Sequence, residues 1–275
     1  MNRIITSTLA VLTMAMAMGT GSAIANENAY ETTLRSTAWI VAGDSRGTGV
    51  LVDREEQLVI TNYHVTTDLP VVQVFFPVML DGRAVSDRSW YQADAEELGI
   101  RAEVVATDKA RDIAILKLDR IPEDIVAIEI GEPTRPGQNV HSIGNPGASD
   151  AMWIYTYGKV RQNYYRKTRY DFGYTQMQML ETDSPINPGD SGGPMVDDQG
   201  RLVGISQGLS NDSRLYSYGV DISEITWYLK KYRSSMESEL PTSTSADETT
   251  GDSTGSPQAR GSFQDLSLFA ANSGN

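Results

Sequence analysis

Between residues 34 and 233 the chain alternates short apolar runs with polar punctuation. Ala38-Trp39-Ile40-Val41, Gly49-Val50-Leu51-Val52, Leu58-Val59-Ile60 and Val71 to Val74 are rich in β-branched and aromatic residues. Ile113 to Leu118, Ala127 to Ile130 and Leu202 to Ile205 continue the series, with Gly, Asp, Asn and Pro between the runs. Runs this short and closely spaced predict strands of an all-β barrel or sandwich rather than alternating βα units. Asp221 to Glu239 reads differently. Ile222, Ile225, Leu229 and Tyr232 recur at helical spacing with charges on the other face, which predicts a C-terminal helix capped by Asp221 or Ser223. A short helical turn is expected at Ala93 to Leu98, within a surface loop.

The two ends stand apart from this pattern. Arg3, the apolar run Ile4 to Met18 and the small residues Ala23-Ile24-Ala25 form a secretory signal peptide over residues 1–25, cleaved before Asn26. Residues 34–239 are then one folded domain, with no stable membrane insertion after cleavage. From residue 240 to 275 Ser, Thr, Gly, Asp and Pro dominate, and such a tail buries too little apolar surface to order itself. The formal net charge of −13 opposes binding to nucleic acid or anionic membranes. With no cysteine, disulfides and thiol catalysis are excluded, so core burial must hold the fold. The sequence contains no ligand cluster for a metal and implies no cofactor.

Three segments carry chemistry. Ile186-Asn187-Pro188-Gly189-Asp190-Ser191-Gly192-Gly193-Pro194 places a serine among glycines. A serine hydroxyl needs a base to accept its proton as it attacks, and donors for the oxyanion that results. The N–H groups of Gly189 and Ser191 are the candidate donors. Thr61-Asn62-Tyr63-His64-Val65 offers His64, one of two histidines, as that base. Arg111-Asp112-Ile113 offers Asp112 to orient the imidazole, with Asp108 as a weaker competitor. The order His, Asp, Ser is one of the recurrent triad arrangements. His141, in the strand-like run 139–143 with no carboxylate or second histidine nearby in sequence, reads as structural.

Together these segments resemble the His, Asp and Ser motifs of the trypsin-like serine protease superfamily, and most of all the HtrA/Deg-like proteases. Gly47 to Val52 and Ile143-Gly144-Asn145-Pro146 are similar to further segments of that family. The resemblance implies two perpendicular six-stranded β-barrels with the catalytic cleft between them, followed by the C-terminal helix. It implies a serine endopeptidase acting on exported or misfolded proteins in the periplasm or after secretion. A catalytically silent binding or scaffold protein on the same fold is the alternative. By resemblance, Ser206-Gln207-Gly208 pairs with the substrate backbone, Ile186 lines the specificity pocket, and the protein forms a homo-oligomer, a trimer.

The pattern departs from the family at several points. No PDZ-like segment follows the helix. The interval from His64 to Asp112 is long, with its extra residues at 77–99 as a surface insertion. Asp190 replaces the asparagine common in HtrA-like chains. A carboxylate there needs a cation or donors if buried, and the basic residues Lys159, Arg161, Arg166, Lys167 and Arg169 are the candidates. Tyrosines interleave with those basic residues over 155–174 and are read as covering a long hairpin of the second barrel rather than binding nucleic acid. Pro185 stands where a Lys- or Arg-selecting carboxylate would, and Asp183 matches a common HtrA-like residue. A small or medium apolar P1 residue is therefore expected.

Overall fold

A computed structural model describes residues 29–209 and 216–239. The expected signal peptide and tail lie outside the described residues. A helical segment, α1 (29–36), leads into the first barrel. That barrel is a closed sheet of β1 (Thr37–Ala42), β2 (Ser45–Asp53), β3 (Leu58–Thr61), β4 (Val71–Phe75), β7 (Ile100–Asp108) and β8 (Ile113–Leu118), in the order β1-β2-β3-β8-β7-β4. The small strands β5 (Met79–Leu80) and β6 (Arg83–Ala84) form a separate hairpin. The second barrel closes as β10-β11-β14-β13-β12-β9, from β9 (Asn139–Gly144), β10 (Ile154–Tyr170), β11 (Gly173–Thr182), β12 (Pro194–Val196), β13 (Leu202–Leu209) and β14 (Ser217–Asp221). The double six-stranded barrel expected from the resemblance is thus the observed fold.

The continuous apolar runs become the strands buried on both faces. In β8 only Lys117 is exposed, and β3 is buried throughout. One apolar core crosses the barrel boundary. Val50, Leu58, Ile60 and Ile115 of the first barrel share a cluster with Met177, Val196, Ile205 and Val220 of the second. Helix α5 (Ile222–Glu239) adds Ile222, Ile225 and Leu229 to it. Asp221 is its cap: Oδ1 accepts from the Ser223 N–H at 2.9 Å.

Two expectations need correction. Ala127 to Ile130 forms no strand. It is a strap held by single bonds, Ile128 N–H to the Leu51 carbonyl at 2.8 Å and an isolated Ile130–Leu202 bridge. The 77–99 insertion is not merely a surface loop. Its helices α3 (Arg88–Ala93) and α4 (Ala95–Leu98) carry Tyr91 into complete burial. There Tyr91 meets Phe75 and Trp153 edge-on, and its hydroxyl accepts from Val78 N–H and donates to the Val85 carbonyl, each at 3.0 Å. The apolar spacing of a short insertion carries no sign of this aromatic dock.

Candidate active site

Strand β3 ends at Thr61, and a single helical turn, α2 (Tyr63–Thr66), presents His64 at the cleft. The tight turn 108–112 between β7 and β8 presents Asp112. Asp112 is wholly buried and has φ of +53°, a left-handed conformation that costs an ordinary residue about 1–2 kcal/mol. Its carbonyl accepts from Asn62 Nδ2 at 2.9 Å, which helps hold that conformation. A buried carboxylate must be compensated, and here three donors reach it. The His64 backbone N–H donates to Oδ1 at 3.0 Å, His64 Nδ1 meets Oδ2 at 2.8 Å, and Gln207 Nε2 donates to Oδ2 at 3.0 Å. The imidazole is thereby fixed with its proton on Nδ1, leaving Nε2 to act as base. Asp108 has a different task, accepting from Arg111 Nη1 at 2.8 Å.

The nucleophile loop is held from the first barrel. Thr48 on β2 donates its backbone N–H to the Ser191 carbonyl and its Oγ1 to the Gly189 carbonyl, both at 2.8 Å. Gly192, at φ +84°, packs so closely that a Cβ would collide with the Thr48 carbonyl and Thr61 Oγ1. Gly189 has φ of +105°. Among the described residues the N–H groups of Gly189 and Ser191 donate to no protein acceptor, which leaves both for an oxyanion. Ser191 Oγ itself donates to the Gln207 carbonyl at 3.2 Å, and no hydrogen bond to His64 accompanies it.

Gln207 therefore does more than its sequence position suggested. A register shift between Ser206 and Gly208 makes a bulge that turns Gln207 into the site. Its side chain supports Asp112, its Oε1 accepts from Tyr170 at 3.1 Å, and its carbonyl holds Ser191. Ser206 lies behind it, with N–H and C=O bonded to Gly193 and Gly192 at 2.8 and 2.7 Å. Above Gly208 the space is open. Ile186 is buried, and Asp183 Oδ1 is turned to the Lys159 N–H at 2.5 Å.

The long hairpin of β10 and β11 reaches over this site. At its tip Phe172 stacks on the His64 ring with centroids 6.0 Å apart, and Tyr170 stacks on Phe172 at 5.3 Å. Burial and the nearby Asp112 charge raise the Tyr170 pKa, so its hydroxyl remains a donor. Further along, β10 and the turn after β12 supply polar partners to both ring nitrogens of His141. A carboxylate is beside it after all: Nε2 meets Asp198 Oδ1 at 2.9 Å and Nδ1 meets the Tyr155 hydroxyl at 2.6 Å. Asp198 is distant in sequence, which hid the contact.

The expected partner of Asp190 is also corrected. Arg161 pairs with Glu181, Arg166 lies over Tyr218, Lys167 and Arg169 lie over Tyr174, and Lys159 reaches Asn139. None meets Asp190. Asp190 is buried, Oδ2 accepts from the Asn187 N–H at 2.7 Å, and Oδ1 has no partner. Burial pushes its pKa up to about 6, and the Arg88 charge offsets part of that.

The model of the trypsin-like peptidase domain matches residues 47–205, more than half of the chain. Protease Do-like 8, chloroplastic, of Arabidopsis thaliana is 28% identical over 183 residues, covering 64% of this chain and 39% of that protein. The probable periplasmic serine endoprotease DegP-like of Pseudomonas putida (strain GB-1) is 32% identical over 162 residues, covering 59% and 29%. The chain thus spans well under half the length of these relatives. Among solved structures, the Rv3671c protease of M. tuberculosis in its active form shares the fold. It has a TM-score of 0.60 and 22% identity, covering 76% of this chain and 86% of that one. Residues 47–205 include His64, Asp112 and Ser191, and the chain belongs to the trypsin-like peptidase family.

Proposed function

We propose that the protein is a serine endopeptidase that cleaves exported or misfolded proteins through an acyl-enzyme. Ser191 Oγ attacks the scissile carbonyl while His64 Nε2 takes its proton. Asp112 holds the imidazole and stabilises the imidazolium. The oxyanion accepts from the N–H groups of Gly189 and Ser191. Collapse breaks the C–N bond as His64 returns the proton to the leaving amine. Water then repeats the sequence on the ester and frees Ser191. The observation that carries this reading is the fully buried Asp112, bound twice by His64 and once by Gln207. Three compensated bonds at a left-handed aspartate are more than a turn requires.

An apolar P1 residue is supported by Ile186 and by the commitment of Asp183 to Lys159. The backbone of the substrate would run along Ser206, Gln207 and Gly208. An exported location is supported by the N-terminal pattern, and among the described residues no helix is long and apolar enough to cross a membrane. The trimer of the resemblance remains part of this proposal.

A silent binding protein is the second reading, and one observation favours it: Ser191 Oγ bonds the Gln207 carbonyl rather than His64. Rotation about the serine Cα–Cβ bond between staggered wells is the change that would turn Oγ away from the Gln207 carbonyl toward His64. Hydrolysis of unfolded casein and of a peptide panel varied at P1 tests the proposal. Cleavage after Val, Ala or Leu that disappears in Ser191→Ala is expected. Preferred cleavage after Lys or Arg would refute the P1 assignment, and no cleavage of any substrate would favour the binding protein.

A further inference from the structure

Two groups of opposite charge, the buried Asp190 and the half-buried Arg88, lie beside the nucleophile loop, each with an unpaired buried atom. Asp190 Oδ1 has no hydrogen-bond partner, and neither does Arg88 Nε. They make no ion pair in this structure, yet each feels the charge of the other. Among the described residues, Arg88 is the cation whose charge bears on the buried Asp190. An orphaned buried charge is costly, so such a pair persists where it has a task.

The intervening structure connects them. Arg88 begins α3 in the 77–99 insertion, and its backbone N–H donates to the Asp150 carbonyl at 3.0 Å. Its Nη2 donates to the Pro146 carbonyl at 2.8 Å, and its guanidinium lies 5.3 Å from the Trp39 ring centroid. The segment it grips touches the nucleophile loop directly. Gly147 N–H donates to the Pro188 carbonyl at 2.8 Å, and a Cβ on Gly144 would collide with the Asp190 carboxylate. The insertion itself is anchored by the buried Tyr91, so Arg88 is presented from a packed base.

We propose that Arg88 is a positioning residue for catalysis: by neutralising Asp190 it holds the Gly189–Ser191 loop in its oxyanion-binding form, making the 77–99 insertion part of the active site. This inference rests on the endopeptidase reading of the same site. Loss of the charge at 88 leaves a buried carboxylate with one N–H for company, and the loop relieves it by turning the carboxylate toward solvent. That motion carries the Gly189 and Ser191 N–H groups out of register. Arg88 touches neither substrate nor reacting atoms, so its effect falls on kcat more than on KM.

The test is a double-mutant cycle of Arg88→Gln and Asp190→Asn, with Arg88→Lys as the conservative variant. Glutamine removes the charge and, ending where Arg88 Nε lies, also gives up the Nη2 bond to the Pro146 carbonyl; that loss is common to both backgrounds of the cycle and cancels in the coupling. Arg88→Gln is expected to lower kcat about 30-fold or more with little change in KM, and Arg88→Lys to recover most of it. Whatever level Asp190→Asn sets, adding Arg88→Gln lowers it by a smaller factor than Arg88→Gln lowers the wild type. The same cycle read in thermal unfolding at pH 8 is independent of catalysis. Arg88→Gln lowers the melting temperature more when Asp190 is present than in the Asp190→Asn background. Equal destabilisation in both backgrounds overturns the proposal even if the protein proves inactive. Active wild type with an equally active, folded Arg88→Gln overturns it while the endopeptidase reading stands.

Discussion

At the scale of single residues, the site is organised by how buried charge is compensated. Asp112 has three donors, and the third, Gln207 Nε2, was invisible in a sequence that marked Gln207 for substrate pairing. Gln207→Ala removes that donor, and loss of a hydrogen bond to a buried charge costs about 1.5–3 kcal/mol. We expect kcat to fall about tenfold or more, with steady-state kinetics as the check; unchanged kcat contradicts the role. Asp190 is the opposite case. Its pKa is pushed up to about 6 from 3.8, so the native state holds a proton that the unfolded chain releases. Stability therefore falls as pH rises through that window, by about 3 kcal/mol once both states are ionised. Asp190→Asn is expected to raise the melting temperature at pH 8 and to leave it nearly unchanged at pH 3.5. An equal shift at both pH values would mean that charge is not the cause. His64, Asp112 and Ser191 were legible because triad chemistry restricts residue type and order. The charge near Asp190 and the partner of His141 were not, because Arg88 and Asp198 are brought to their surroundings only by tertiary packing.

At the scale of elements, β2 is the strand that couples barrel and nucleophile. Its Thr48 makes two bonds to the Gly189–Ser191 loop, and Asn145 N–H returns a bond to Thr48 Oγ1 at 3.1 Å. Thr48→Val keeps the shape and the backbone bond but removes the hydroxyl. We expect kcat/KM to drop about tenfold while the fold survives; a variant with wild-type kinetics removes Thr48 from the account. The strands themselves were readable wherever burial on both faces made an unbroken apolar run, as in Ile113 to Leu118. The strap at Ala127 to Ile130 has the same composition but pairs with no strand along its length, and composition does not distinguish the two. The β10–β11 hairpin was legible as a long tyrosine-bearing element. Its reach to His64 through Phe172 was not, because hairpin length and tilt are set by the closure of the barrel.

At the scale of the molecule, one apolar core joins both barrels and α5. Arg111 extends this tie to the site. It donates to Glu224 of α5 at 2.7 Å and lies over Trp227 at 3.9 Å, one residue before Asp112. Barrels sharing a core unfold together, so a single calorimetric transition is expected. Ile225→Ala, from a fully buried position, lowers stability by about 2–5 kcal/mol without splitting it. Two resolved transitions would show that the barrels are independent. All of this architecture serves one claim, that Ser191 is a nucleophile activated by the His64–Asp112 pair. Intact-mass measurement after treatment with a fluorophosphonate tests it most directly. The account predicts one covalent adduct per chain, located on Ser191 by peptide mapping, absent in Ser191→Ala and slowed at least about 100-fold in His64→Ala. An unlabelled wild-type protein, or labelling that persists in Ser191→Ala, would contradict it.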